Sequence, residues 1–324
     1  MTIWVQIRDV YLFFVRHALI VNGYVNDYTW HGIRHRNWGD DLNYYFLQEL
    51  TGRPVVMYHN FKMAKWLHLK NYLCIGTLLD AVKYADAQTI VWGSGVSGQE
   101  RTFVHPKKIL AVRGLKTKEF CDRYGVSCPE VYGDPALLLP LVYQPRRGVQ
   151  GSIVASSVQE VQRAPYRLGI IPHVVDLHHP VIEEIREKHA DEILIIDLAH
   201  YKKWTDVIDL VCSCERILSS SLHGLIVSDA YQVPNCWIEL SGKIAGGYFK
   251  YHDYASSVNR VFSNPTRIEK KADVADIMDC ADLYFSCADK EKIKELQDGL
   301  VAVAPFKLKI DSHRSNIRKI EIGN

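Results

Sequence analysis

Short apolar runs closed by glycine turns recur along the chain. Tyr72–Ile75 ends at Gly76-Thr77, and Thr89–Trp92 ends at Gly93-Ser94-Gly95. Ile109–Val112 ends at Arg113-Gly114, and Glu130–Tyr132 leads to Gly133-Asp134-Pro135. Each run has the length of a strand, and helical periodicity follows one of them over Leu115–Tyr124. Upstream, Leu42, Tyr45, Phe46, Glu49 and Leu50 fall on one helical face, with Asp40 placed to cap that helix and Gly52 to stop it. The alternation returns later, with strands over Arg167–Ile171, Glu192–Ile196, Arg216–Leu218 and Asn235–Ile238. Val181–Lys188, Thr205–Val211 and Leu225–Tyr231 have helical patterns. This order predicts an α/β fold of parallel strands with helical crossovers. The apolar opening, Ile3 to Val21, reads as one or two strands, and Asn22–Trp38 reads as loop. Residues 142–165 break the pattern. They are taken as a boundary between an N-terminal α/β domain, 1–145, and a C-terminal α/β domain, 165–324. The basic tail from Ala302 to Ile320 is expected to pack as a terminal strand or helix.

Composition narrows the classes. The 324 residues carry 39 Lys+Arg against 37 Asp+Glu, and 48% are hydrophobic. A long disordered chain is excluded, and no strong basic field is offered to a nucleic acid. Eight cysteines are too sparse for a disulfide scaffold and are read as buried thiols in a reducing compartment. The opening residues lack the basic lead, apolar run and cleavage site of a secretory signal. Val10–Val21 is interrupted by Arg16 and His17 and is too short to span a membrane. The expectation is a cytoplasmic protein without a transmembrane segment, compatible with work at the inner face of a membrane.

Ligands on parallel sheets sit beyond the carboxyl ends of the strands, where most of the polar motifs fall. Gly93-Ser94-Gly95-Val96-Ser97-Gly98 has the spacing of a dinucleotide fingerprint, but Pro106 leaves little room for its helix. The next strand also ends in Arg113, where a nicotinamide site needs an acid. A glycine turn in close approach to a ligand or to the partner domain fits better. Arg113, between a strand end and a helix start, suits a phosphate or carboxylate, or equally a surface salt bridge. His223 starts a helix beside Gly224, and His173 follows Pro172 at another strand end. The two could line one cleft, or each could cap its own turn. No zinc site is expected, because His178 and His179 are adjacent and join no ligand motif. The aromatic clusters Tyr24–Tyr45 and Tyr248–Tyr254 could stack on sugars or fill core.

Taken in order, these motifs resemble the polysaccharide pyruvyl transferase family. Asn37-Trp38-Gly39-Asp40-Asp41-Leu42 is similar to its NxGDxL opening, and Gly76-Thr77-Leu78-Leu79 and Trp92-Gly93-Ser94-Gly95 to its glycine turns. Val112-Arg113-Gly114-Leu115-Lys116-Thr117, Tyr132–Leu137 and Ile171-Pro172-His173 resemble its VRGxxT, GDPAL and IPH segments. Ser220–Ile226 with Asp229-Ala230-Tyr231, then Phe249-Lys250 with Asp253-Tyr254, complete the set. Many members carry Arg where this chain has Ser221, which leaves Lys250 or Arg260 to supply a second positive charge.

The resemblance implies two Rossmann-like domains facing a central cleft, as in GT-B glycosyltransferases. It implies phosphoenolpyruvate as co-substrate, with no other cofactor, and a saccharide acceptor, lipid-linked or not. The product would be a cyclic pyruvate ketal on a cell-surface or exopolysaccharide precursor. On this view His223, His173 and Asp40 are the catalytic candidates. Arg113, Ser221, His223, Lys250 and Gly95 are donor-side candidates, and Asn37 and Asp40 face the acceptor. Asp134 is as well explained by an Asx-type turn as by catalysis. A nucleotide-sugar glycosyltransferase and a non-catalytic saccharide-binding protein are the alternatives.

Overall fold

The computed structural model describes residues 3–25, 27–81, 84–98, 103–145, 166–191 and 193–310. In the first half, β1 (Leu19–Asn22) is followed by a small hairpin of β2 (Tyr28–Thr29) and β3 (Gly32–Ile33), then β4 (Val55–Met57), β5 (Asn71–Leu73), β6 (Thr89–Trp92) and β7 (Lys108–Ala111). Apart from the hairpin, these strands form one parallel sheet in the order β4-β1-β5-β6-β7. The second half supplies β8 (Leu168–Ile171), β9 (Ile193–Ile195), β10 (Ile217–Ser219), β11 (Asn235–Glu239) and β12 (Thr266–Arg267). They form a second parallel sheet in the order β12-β11-β10-β8-β9.

Both sheets therefore repeat one topology. In each, the second strand flanks the first on one side and the remaining three extend on the other. The order reverses between β1 and β5 in one sheet, and between β8 and β10 in the other. At such a reversal the crossover helices leave for opposite faces, and a crevice opens beyond the carboxyl ends of the two strands.

Several elements differ from the sequence expectation. Ile3–Phe14 is a helix, not a strand, and only Leu19–Asn22 of the apolar opening joins the sheet. Its periodicity is hidden because the side facing solvent is apolar, while polar Asp9 points inward. Asp40 lies inside a short helix, Trp38–Asp41, and does not cap the longer Tyr45–Thr51 helix, which Gly52 ends. The helix expected from Leu225 begins at Leu222, so His223 sits within its first turn. Glu130–Tyr132 contributes only an isolated bridge between Tyr132 and Val112. The boundary segment from 146 to 165 and the tail from 311 onward lie outside the described residues.

One continuous core joins the halves, running from Val21, Trp38 and Trp92 to Leu225, Ile226 and Tyr254. The last described helix, Lys290–Ala302, returns to the first sheet: Trp92 Nε1 donates to the Leu300 carbonyl at 3.0 Å, and Lys309 N to the Leu50 carbonyl at 2.6 Å. A fully buried contact between the halves is ionic. Arg113, at 0% exposure, donates from Nε to Asp253 Oδ2 at 2.8 Å. Its Nη1 donates to Thr77 Oγ1 at 2.6 Å and its Nη2 to the Val96 carbonyl at 3.1 Å. Asp253 also accepts from Thr117 N at 2.8 Å and from Thr117 Oγ1 at 2.7 Å. Gly95 makes room for this arrangement, since a Cβ there would lie 2.4 Å from the guanidinium carbon.

Removing one partner of a buried, hydrogen-bonded pair strands the other charge without solvent, which costs roughly 3–5 kcal/mol. Arg113→Ala and Asp253→Ala are each expected to lose about that much stability in denaturant titrations. Replacing both together with apolar side chains of similar volume should recover a large part of it. A loss below about 1 kcal/mol for either single change, the size of an exposed pair, would contradict a buried bridge.

Candidate functional site

Beyond the carboxyl ends of β1, β5, β8 and β10 lies a cavity of about 400 Å³. Asn37, Asp40, Thr77 and Asp80 line it from the first half, and His173, Ser221, His223 and Lys250 from the second. The order reversals of the two sheets thus feed a single space. Of the residues proposed from sequence, Asn37, Asp40, His173, Ser221, His223 and Lys250 are brought together there. Arg113 and Gly95 are not on its wall. The guanidinium expected to be exposed at a strand end is instead fully buried, with each of its nitrogens given to the Asp253, Thr77 and Val96 contacts. Arg260 is also committed elsewhere: its Nη1 donates to both Asp229 carboxylate oxygens, at 2.8 and 3.0 Å, and to Asn235 Oδ1 at 2.8 Å. Among the described lining residues, Lys250 is the one Lys or Arg.

The Asn37–Asp41 turn is held from the other half. Trp38 N donates to the Leu198 carbonyl at 2.8 Å, Trp38 Nε1 to the Trp204 carbonyl at 2.7 Å, and Tyr201 Oη to Asp41 Oδ2 at 2.7 Å. Within the turn, Asn37 Nδ2 donates to Asp40 Oδ2 at 2.7 Å. Burial in the cavity wall, reinforced by the neighbouring Asp41 carboxylate and opposed by Lys250, pushes Asp40 up to about 7. Lys250, near the start of helix Phe249–Ser257, is lowered to about 8 by burial and by the nearby Arg113 charge. The cavity thus holds a carboxyl group that keeps its proton well above the usual carboxylate range and an amine that loses its proton below the usual lysine range.

The imidazoles are uncharged at neutral pH. His223 is lowered to about 3 by burial and then by Lys250, Arg113 and His173, and its Nε2 has no hydrogen-bond partner. His173 is lowered to about 4 by burial and Lys250. Val175 N donates to His173 Nδ1 at 3.3 Å, which fixes the neutral ring with its proton on Nε2. The His173 backbone is anchored in turn by the Ser220 hydroxyl, at 2.9 Å from His173 N, and Ser220 Oγ donates to Asp176 Oδ2 at 3.0 Å. Ser221 is the N-cap of helix Leu222–Ala230, and its side chain makes no capping bond. The helix therefore directs first-turn N–H groups and the positive end of its dipole toward the cavity.

Asp134 Oδ1 accepts from Ala136 N at 2.9 Å and so starts the turn at Pro135; burial raises its carboxyl to about 6. Thr77, Asp80 and Ser97 were not singled out from sequence. Asp80 Oδ2 accepts from Ser97 N at 2.8 Å and from Ser97 Oγ at 2.6 Å, tying two glycine-turn segments together at the rim. The available signal was their place just after strand ends. Gly39 was legible only as part of a motif. A Cβ on it would lie 1.9 Å from His223 Nδ1, so the first-half turn and the imidazole are in direct contact.

Fold and site together define an α/β protein with a polar cavity in which a lysine, a carboxyl group and two histidines meet at the carboxyl ends of two parallel sheets. The chain belongs to the polysaccharide pyruvyl transferase family, which matches residues 20–242, and it is an enzyme of that type. It is 25% identical to the uncharacterized protein L143 of Acanthamoeba polyphaga mimivirus over 235 residues, covering 71% of this chain and 73% of the viral one. No solved structure matches it.

Gly39→Ala tests the contact that assembles the cavity. The new methyl must displace either the turn or the imidazole, and overpacking of this kind costs about 1–3 kcal/mol. The loss should shrink in a His223→Ala background, where the space is free. Additive losses in denaturant titrations of the two single variants and the double variant would separate Gly39 from His223.

Proposed function

We propose that the protein transfers the pyruvyl group of phosphoenolpyruvate to a saccharide and closes it as a cyclic ketal. The observation that carries this reading is the joint presence of Lys250, Asp40, His173 and His223 in one cavity of a family member, with burial raising the Asp40 carboxyl and lowering the two imidazoles. The two sheets would then act as the facing halves of a GT-B-like arrangement. The donor carries a phosphate and a carboxylate. Lys250, the first-turn N–H groups of helix Leu222–Ala230, Ser221 Oγ and the imidazoles are the groups that would receive them. Tyr24 and Tyr84, whose rings meet edge to face at 6.3 Å on the cavity wall, offer an apolar surface to a sugar ring.

The chemistry requires a proton on the methylene carbon of the enol. Protonated Asp40, held by Asn37, supplies it in this reading, and positive character develops at the carbon bearing phosphate. A sugar hydroxyl bonds to that carbon and returns its proton to Asp40. Phosphate then leaves with the bonding electrons, and a second hydroxyl closes the ring. The proton of that second hydroxyl departs with phosphate. Phosphoenolpyruvate and a diol thus become a ketal and inorganic phosphate. His223 enters as a neutral hydrogen-bonding partner of the departing phosphate, because its low proton affinity removes it as the acid at neutral pH.

The first test is incubation with phosphoenolpyruvate and a panel of lipid-linked and nucleotide-linked sugars, reading phosphate release and acceptor mass. Nucleotide release with phosphoenolpyruvate left intact would replace this reading with glycosyl transfer. Turnover should fall as pH rises through about 7, where Asp40 loses its proton. Donor affinity should fall as pH rises through about 8, where Lys250 loses its charge. Asp40→Asn should lose roughly 100-fold to 10,000-fold in turnover, the usual contribution of a general acid. His223→Ala should lose about two decades of turnover, the usual loss of one hydrogen-bond donor to a developing charge, whereas His223→Gln should recover much of the rate at saturating donor. A Gln variant as poor as the Ala variant would assign proton transfer to His223 after all.

A further inference from the structure

The helix Ile3–Phe14 is turned inside out relative to an ordinary surface helix. Its outward positions are Ile3, Trp4, Ile7, Tyr11 and Phe14, exposed by 71%, 63%, 50%, 51% and 59%. At helical spacing these residues form one stripe, with no polar residue inside it. The polar residues point toward the protein. Asp9 is fully buried and accepts from Arg8 Nη2 at 2.6 Å and from Tyr28 Oη at 2.9 Å. Arg8 Nη1 continues to the Thr29 and Trp30 carbonyls at 2.6 and 2.7 Å. The stripe is therefore built rather than frayed, because the opposite face is locked by ionic and hydrogen bonds.

The apolar area continues onto neighbouring elements. Trp30 is 46% exposed at the tip of the hairpin that Arg8 holds. On the other flank, Gln6 Nε2 donates to the Asn60 carbonyl at 2.7 Å and Gln6 Oε1 accepts from Lys62 N at 3.0 Å. Those bonds fasten the helix Lys62–Trp66 alongside, where Trp66 is 79% exposed. The charge around this area is predominantly positive. Residues 3–36 and 53–70 carry eight Lys or Arg, Lys62 and Lys65 beside Trp66 among them, against two acids, Asp9, which is buried, and Asp27, which is paired with Arg36 at 2.8 Å.

We infer that this face docks on an anionic lipid surface, with the N-terminal helix lying in the plane of the interface. Trp, Tyr and Phe projecting from a helix beside exposed Lys and Arg match the amphipathic boundary between acyl chains and anionic headgroups. The helix lies on the surface and does not cross it: its 12 residues span about 18 Å, and among the described residues no helix is long and apolar enough to cross a membrane. A second copy of the chain fits less well. A two-fold contact through the stripe would bring the basic rims of both copies together, and the partly exposed acid nearby, Asp27, is already paired with Arg36. The inference does not depend on the donor or on the product of the reaction.

The test uses the full chain with vesicles of phosphatidylcholine alone and of phosphatidylcholine mixed with phosphatidylglycerol. Co-sedimentation should require the anionic lipid and weaken with salt, and tryptophan emission should shift to the blue on binding. A variant with Trp4→Ser, Tyr11→Ser and Phe14→Ser should keep the wild-type melting transition and bind roughly tenfold or more weakly, because its inserted apolar area is gone. Lys62→Glu with Lys65→Glu should weaken binding to anionic vesicles and leave the emission of the free protein unchanged. Failure of the wild-type protein to bind either vesicle overturns the inference. If sedimentation velocity then shows a dimer that the triple variant dissociates, the face belongs to a second copy. Turnover on a water-soluble acceptor is read in parallel, so loss of docking and loss of chemistry are told apart.

Discussion

The buried pair of Arg113 and Asp253 is the contact on which the site depends. A guanidinium this far from water is tolerated only when its donors are matched, and the matching partners come from both halves of the chain. Thr77 and Val96 belong to glycine turns of the first sheet, and Asp253 belongs to a helix of the second. Asp253 also engages Thr117 twice, so the two ends of the Arg113–Thr117 segment are fixed by one carboxylate. The same helix carries Lys250 one turn earlier. The pair thus sets the position of the cavity's ammonium while its own charge lies below the wall.

A second clamp acts at the opposite edge. The turn containing Asp40 has little regular structure of its own and takes its shape from Leu198, Tyr201 and Trp204. It meets His223 at the one residue without a side chain. The chemical groups therefore come from short turns and the first turns of helices, and the turn carrying Asp40 is tied down by the other half. This explains why motifs widely separated in sequence share a cavity: each contributes contacts between the halves as well as groups for chemistry.

Much of the architecture was legible because parallel strands buried on both faces read as short apolar runs, and glycine turns mark their carboxyl ends. Thr89–Trp92 was read to the residue, and Arg167–Ile171 and Asn235–Ile238 to within one position at an end. The N-terminal helix was not legible, because amphipathic reasoning assumes that polar residues face water. Here Asp9 and Arg8 face the protein and the apolar stripe faces outward, so no alternation remained to read. Arg113 shows a second limit. A strand-end arginine before a helix has the same local pattern whether it meets a ligand or a carboxylate 140 residues away, and only the packed structure distinguishes them. Asn37, Asp40, His173 and His223 line one cavity; His173 and His223 were legible from their places at a strand end and a helix start, whereas Asn37 and Asp40 were marked only by the resemblance, since the local pattern made Asp40 a helix cap.

With Arg113 spent on Asp253, the cavity's fixed positive charge among the described residues is Lys250 and the end of one helix. The two imidazoles lose their protons chiefly because they are buried, with Lys250 adding to the effect at both rings and Arg113 at His223. The same burial acts on Asp40 in the other direction, favouring its protonated form, and with Asp41 it outweighs the attraction of Lys250. Under the proposed reading, an incoming donor with phosphate and carboxylate charges favours protonated forms of all these groups at once. Its charge would hold Lys250 as ammonium and strengthen the hold of Asp40 on its proton. The anion that must be activated by a proton would thereby stabilise the protonated acid beside it. A cavity lined instead by several permanent cations would bind the same anion, but it would depress the carboxyl and leave no group ready to protonate carbon at neutral pH.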